Sequence, residues 1–262
     1  MVRRIIPVGS AKKPEIIAVD RSDVEKTGFF CYMSKRKSEG FLRKLAWVKA
    51  RLSEGMRIKM LKLPERGFIE YAPGESAWRA VDARGWMVIH CLWVVGKSKG
   101  KGLGGLLLEE CVNDAKRAGM LGVAMVTSEG NWLAGRKLLE RSGFRAVDAA
   151  PPSFTLMAKR LKPGVTPVFP GDWEARAARH GEGLTILRSD QCPYIPEATK
   201  ILLDVAAKKK LKARVVEFRT ARELQTLSPS PYGVFNILLN GRLLSYHYLL
   251  ESDFLAALGS GP

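Results

Sequence analysis

The sequence predicts an α/β (α+β) protein built in two parts, and three observations carry that reading. Apolar stretches with strand character alternate with stretches of helical spacing from residue 16 to residue 161. The longest apolar stretch, 86–95, runs through the glycines of Lys99-Gly100-Lys101-Gly102-Leu103-Gly104-Gly105 directly into a helix. Beyond a segment interrupted by Pro163, Pro167 and Pro170, a different pattern begins, and it includes a hairpin turned at Asn240-Gly241.

In order along the chain, the apolar run 16–19 is a first short strand. Phe41, Leu42, Leu45, Ala46, Val48 and Ala50 fall near helical spacing, so 41–52 is a helix, stopped at Gly55. Residues 57–63 alternate in part as a strand that Pro64 ends; 67–71 and 77–81 are two more strands joined by a Pro73-Gly74 turn. After the strand 86–95 and its glycines, Leu106, Leu107, Leu108, Cys111, Val112 and Ala115 line one side of a helix ending near Gly119. A buried strand at 122–127, a helix at 131–141 stopped by Gly143, and strands at 144–147 and 154–161 complete the first part. The second part reads strand 184–187, loop 190–194, helix 197–209, strand 214–218, helix 221–227, hairpin strands 234–239 and 242–249, and helix 252–258. The expected units are residues 1–162, a linker at 163–182, and residues 183–262.

Composition narrows the function classes. Hydrophobic residues at 46% and charged residues at 26% are ordinary for a soluble globular protein. No apolar run reaches the roughly 18 residues needed to span a bilayer, and the first residues carry no secretory pattern, so a cytoplasmic protein is expected. Cys31, Cys91, Cys111 and Cys192 lie far apart with no C-x-x-C pair, which argues against a metal site and against a disulfide framework. Cys91 and Cys111 read as small buried apolar residues. A net charge of +17 suits an anionic partner, but the clusters at Lys35-Arg36-Lys37 and Lys208-Lys209-Lys210 read as solvated faces without interleaved aromatics, so nucleic acid is not the expected partner.

The glycine run is the first motif with chemistry in it. A strand that passes through glycines into a helix leaves backbone N–H groups unpaired at the positive end of the helix dipole. Lys97, Lys99 and Lys101 add charge, and glycines let a phosphate approach the backbone closely. Gly100, Gly102 and Gly105 also satisfy the dinucleotide pattern G-x-G-x-x-G, but too few parallel units surround it; a Walker loop fails for want of Gly-Lys-Ser/Thr.

The run Lys99-x-x-Gly102-x-Gly104 resembles the pyrophosphate loop of the GNAT superfamily of N-acetyltransferases, with Lys where Arg or Gln is usual. Asn131, Ala134 and Gly143-Phe144 are similar to that superfamily's later Asn-x-x-Ala and Gly-Phe. The resemblance covers residues 1–162 and implies an acyltransferase fold with a mixed central sheet that uses acetyl-CoA as co-substrate. It further implies that Lys99, Gly100, Lys101, Gly102, Leu103, Gly104 and Asn131 bind the cofactor and that Leu92, Trp93 and Val94 pair with its pantetheine arm. A backbone N–H there would stabilise the oxyanion of amine attack on the thioester. Leu139 stands where many relatives carry a tyrosine general acid; a thiol of pKa about 8.5 can leave with limited help. Glu70, flanked by large apolar residues, is the candidate general base, with a pKa raised by burial, while Tyr71, Cys91 and Trp93 are candidates for the acceptor pocket.

The second motif is Cys192-Pro193-Tyr194-Ile195, between a strand and a helix. It resembles the Cys-Pro-Tyr-Cys of glutaredoxin-like proteins, and the β-α-β-α-β-β-α order resembles a small thioredoxin-like domain. Ile195 excludes an intramolecular dithiol cycle; Cys192 remains a catalytic or ligand-binding candidate, with a pKa lowered by the nearby helix start, and Ser230-Pro231 falls where such folds place a cis-proline. The two-part arrangement resembles the YoaP-like group of acetyltransferases. The expected activity is transfer of an acetyl group from acetyl-CoA to an amine of a small molecule or peptide, without metal or membrane, with a homodimer left open; the alternative is an acyl-CoA-binding sensor or thiol-binding module without turnover.

Overall fold

A computed structural model of the chain describes residues 14–129 and 133–259. The first part is a seven-stranded mixed sheet of order β1-β2-β3-β4-β5-β7-β6. Its strands are β1 (Ile16–Ala18), β2 (Arg57–Leu61), β3 (Gly67–Pro73), β4 (Trp86–Val94), β5 (Gly122–Ser128), β6 (Arg145–Ala150) and β7 (Phe154–Arg160). Helices α1 (Val24–Thr27), α2 (Glu39–Ser53), α3 (Leu103–Arg117) and α4 (Arg136–Arg141) accompany it. The second part is a four-stranded sheet of order β11-β10-β8-β9, in which β8 and β9 are parallel and β10 runs antiparallel to its neighbours β8 and β11. It consists of β8 (Leu184–Arg188), α6 (Ile195–Lys208), β9 (Ala213–Glu217), α7 (Ala221–Leu227), β10 (Phe235–Leu239), β11 (Arg242–Ser245) and α8 (Glu251–Gly259).

Local sequence explains the element ends. Ser38 caps α2 by accepting from the Phe41 N–H at 3.3 Å, and Thr220 caps α7 from Glu223 at 3.1 Å. Asn240 and Gly241 take φ of +50° and +71°, the paired positive values that a two-residue hairpin turn needs.

Four expectations from the sequence are corrected. Residues 77–81 are not a strand but a buried loop, whose polar groups are met by side chains: the Trp78 N–H by His90, the Ala77 carbonyl by the Gln225 amide. The last hairpin strand stops at Ser245 instead of running to residue 249. The segment 163–182 contains α5 (Trp173–Ala178) and buries Phe169, Trp173 and Ala177 in the core. The Ser230–Pro231 peptide is not cis; among the described residues the cis bonds are Leu63–Pro64 and Pro151–Pro152.

Two apolar layers flank the large sheet. One lies under α3 and α4 and joins Ile69, Met87 and Ile89 to Leu107, Leu108, Cys111 and Leu139. The other lies on the opposite face and is shared: Phe41, Trp78, Val88 and Phe154 of the first part pack in one cluster with Trp173, Leu187, Leu202 and Phe235. The second sheet is therefore docked on the first through a continuous core. No helix among the described residues is long and apolar enough to cross a membrane.

Candidate active site

The site originates where β4 parts from β5. The two strands pair in parallel from Trp86↔Gly122 to Ile89↔Met125 and separate beyond that point, because β5 continues along β7 while β4 stays with β3. At the parting, Glu70 pairs with Cys91 but Tyr71 with Ile89, so His90 is the extra residue of a bulge. Leu92, Trp93 and Val94 hold to β3 on one edge and turn the other edge to the cleft.

Beyond β4, the chain passes a 3-10 turn, Gly96–Ser98, and reaches Gly102, which caps α3 with φ of +75°. The first helix bonds run to the Gly102 carbonyl from the Gly105 N–H (3.0 Å) and the Leu106 N–H (3.3 Å). The N–H groups of Gly102, Leu103 and Gly104 thus precede the ladder, at the positive end of the dipole. A Cβ at Gly100 or Gly102 would meet nothing within 4 Å, so the outer side of the loop is open. Lys97, Lys99 and Lys101 are exposed around it, and Lys101 bonds Glu65 at 2.6 Å. Donors, dipole, lysines and open space fit a pyrophosphate-bearing group.

A cavity of about 490 Å³ adjoins this cleft. Its lining runs from Leu92, Trp93 and Lys99 past Leu133 and Ala134 to Cys192, Tyr194, Tyr232 and Tyr248 of the second part. Cys31 and Cys91 line it as well, so three thiols face one space. The Tyr248 hydroxyl donates to Cys192 Sγ at 2.7 Å. No aspartate or glutamate is among the described residues that line it.

Beneath the cavity lies an ionic network that sequence reasoning did not find. Lys44 donates to Glu70 Oε2 at 3.0 Å, and the Gln191 amide donates to Glu70 Oε1 at 2.7 Å. Arg79 donates to Gln191 Oε1 at 2.7 Å, to the Trp78 carbonyl at 2.7 Å, and to the His90 carbonyl. Because the Trp78 N–H donates to His90 Nε2 at 2.9 Å, the ring proton belongs on Nδ1, which faces Glu70 at 3.3 Å but is poorly aligned for a hydrogen bond. Burial lowers the His90 pKa, which favours the neutral ring. One signal was available: Lys44 interrupts the apolar stripe of α2 between Phe41 and Val48, and Arg79 interrupts an apolar run between Trp78 and Ala80.

The expected site residues fare differently. Glu70 was expected to have a raised pKa; burial does push it up, but the Lys44 charge, the nearby His90 ring and the Gln191 bond outweigh that and hold the carboxyl well below the usual range. It is fully buried. Cys192 was expected to be lowered by the helix start; burial dominates and pushes its thiol up, against the smaller pull of the Tyr248 bond. Tyr71 points to the other core, where its hydroxyl donates to Asp114 at 2.6 Å. Cys111 is buried as expected, whereas Cys91 is half-buried and reaches the cavity, as does Trp93. Leu139 is fully buried under α3. Asn131 lies outside the described residues. Among those residues, no group of three or more His, Cys, Asp or Glu is placed to hold a metal ion.

No protein-family model matches the chain. Among solved structures, a GNAT-family acetyltransferase of Staphylococcus aureus Mu50 aligns at 14% identity over 57% of this chain and 100% of its own, TM-score 0.43. The PaiA N-acetyltransferase of Thermoplasma acidophilum, in complex with coenzyme A, aligns at 17% over 57% and 99%, TM-score 0.41. In sequence, the chain is 29% identical over 243 residues to the uncharacterized N-acetyltransferase YoaP of Bacillus subtilis (strain 168). That match spans 91% of this chain and 96% of the relative, so the chain is similar to YoaP through both of its sheets.

Proposed function

We propose that the protein is an acetyl-CoA-dependent N-acetyltransferase in which an amine held between the two sheets attacks the thioester directly. The observation that carries this reading is the meeting, at one cleft, of the free β4 edge, the glycine cradle and a cavity walled by the second sheet. The similarity to YoaP, itself named as an N-acetyltransferase, supports it.

Bound acetyl-CoA would supply an activated acyl carbon. Gly100, Gly102, Leu103 and Gly104, with Lys99, Lys101 and Asn131, are assigned to its pyrophosphate end, and Leu92, Trp93 and Val94 to its arm. Backbone donors on the β4 edge meet the negative charge that develops on the acyl oxygen; losing one such donor elsewhere lowers rates about 10²–10³-fold. A cavity of about 490 Å³ suits a small-molecule acceptor or the end of a peptide. Glu70, buried and ionised, acts by positioning: it fixes Lys44 and Gln191 beneath the acceptor. Cys192 brings its thiol to the acceptor wall beside Tyr248. The nucleophile is the neutral form of the amine, whose lone pair forms the new bond to the acyl carbon. The second sheet, read as a thioredoxin-like unit that lacks the second cysteine, closes the acceptor side.

The test is coenzyme A release from acetyl-CoA on adding a panel of amines, followed chromatographically. Amine-dependent release is expected. The buried Leu139 at the usual acid position favours one rival, a binding protein without turnover; saturable acetyl-CoA binding with no release across the panel would establish that rival.

A further inference from the structure

We propose that Arg79 anchors a carboxylate of the acceptor, so that, on the acetyltransferase reading above, the substrate is an amine that also carries a carboxylate, as an α-amino acid does. Arg79 is 3% exposed and lines the cavity. Lys44 and Glu70 form a one-to-one pair, and the second Glu70 oxygen is taken by the neutral Gln191 amide. The partners of Arg79 are the carbonyls of Trp78 and His90 and the Gln191 oxygen, all uncharged. His90 is neutral. Lys44, Arg79 and Glu70 together therefore leave one positive charge in excess under the cavity. A buried charge without a counter-charge is strongly unfavourable, and a ligand carrying one negative charge would supply it.

The geometry points the same way. Arg79 Nη1 uses both of its hydrogens, and Nη2 donates once, while Nε has no partner. Of the five guanidinium donors, Nε–H and one on Nη2 therefore remain unspent, and a carboxylate is an acceptor that meets a guanidinium with charge-assisted bonds. The Tyr232 ring lies 5.2 Å from Cζ, and both side chains line the cavity. One excess charge suits a carboxylate better than a phosphate dianion.

The test uses the full chain and two readouts. In turnover, each α-amino acid is compared with its decarboxylated amine and its amide. At least one acid should exceed both by about 10- to 100-fold in kcat/KM, the worth of hydrogen bonds to a charged group. Arg79→Lys should raise KM for that acid by about tenfold or more and erase its advantage over the amide, leaving the acetyl-CoA Kd unchanged. In binding, N-acetyl amino acids should bind the protein saturated with coenzyme A, and matched N-acetyl amines should not. Amines without carboxylate turning over as well as the acids, Arg79→Lys affecting both alike, or neither product class binding would each overturn the proposal. Failure of the underlying reading is seen separately, as absence of acetyl-CoA binding, since N-acetyl amino acids titrated without coenzyme A still report on Arg79.

Discussion

Lys44 departs furthest from its local pattern, standing on the apolar stripe of α2 at 3% exposure with the Phe29 and Trp47 rings 5.4 and 5.9 Å from its ammonium. Burial alone would lower its pKa, but Glu70 more than restores it, and the Glu70 carboxyl is held low in return. Both groups stay ionised across the neutral range. Glu70→Gln should therefore destabilise the protein by about 3–5 kcal/mol in urea, because it strands a buried ammonium, and the double change Lys44→Met/Glu70→Leu should recover much of that loss. The sign for pH follows from a depressed carboxylate: the contribution of the pair is present above the unfolded Glu pKa of about 4.3 and fades only as pH falls through the lower folded value. Glu70 thus adds no limb to activity at neutral pH. Instead kcat/KM should rise with pH to a plateau set by the pKa of the acceptor amine, and shift when acceptors of different basicity are compared. Cys192, with its thiol pushed up, should react with iodoacetamide slowly at pH 7.5 and speed up only above the ordinary thiol value of about 8.5.

At the scale of elements, the strand–glycine–helix unit was legible because its cause is local: apolar alternation, glycines at positive φ and a helical stripe lie within consecutive residues. The loop 77–81 was misread as a strand for the complementary reason. Its apolar residues lie in the core shared with the second sheet, and its polar groups bond to His90 and Gln225, which no local pattern records. α5 was missed because six residues between glycines and prolines carry little period, yet Trp173 anchors it in the shared core. Gly40 shows how closely the two parts meet: a Cβ there would lie 2.0 Å from the Pro193 carbonyl oxygen, beside Cys192. Gly40→Ala should force α2 and the Cys192 loop apart, lowering stability by about 1–3 kcal/mol as overpacking does. It should also raise the alkylation rate of Cys192; an unchanged rate and stability would mean that the two parts are not packed this way.

Over the whole molecule, the site is assembled from distant pieces. Arg79 and Gln191 are 112 residues apart, and Glu70 and Gln191 are 121 apart, so their meeting could not be read from spacing. The glycine loop was legible; the cavity floor, built only when the second sheet docks, was not. Since one apolar cluster spans both sheets, fluorescence and circular dichroism should report a single coincident unfolding transition, where two separated transitions would show that the sheets fold independently. The central claim is that the glycine loop and the β4 edge hold acetyl-CoA. It is tested most directly by calorimetric titration of acetyl-CoA into the wild type and Gly102→Glu, a change that puts a carboxylate where the helix start should receive phosphates. The account predicts saturable binding by the wild type and loss of about a hundredfold or more in the variant; no binding by the wild type, or equal binding by both, would contradict it.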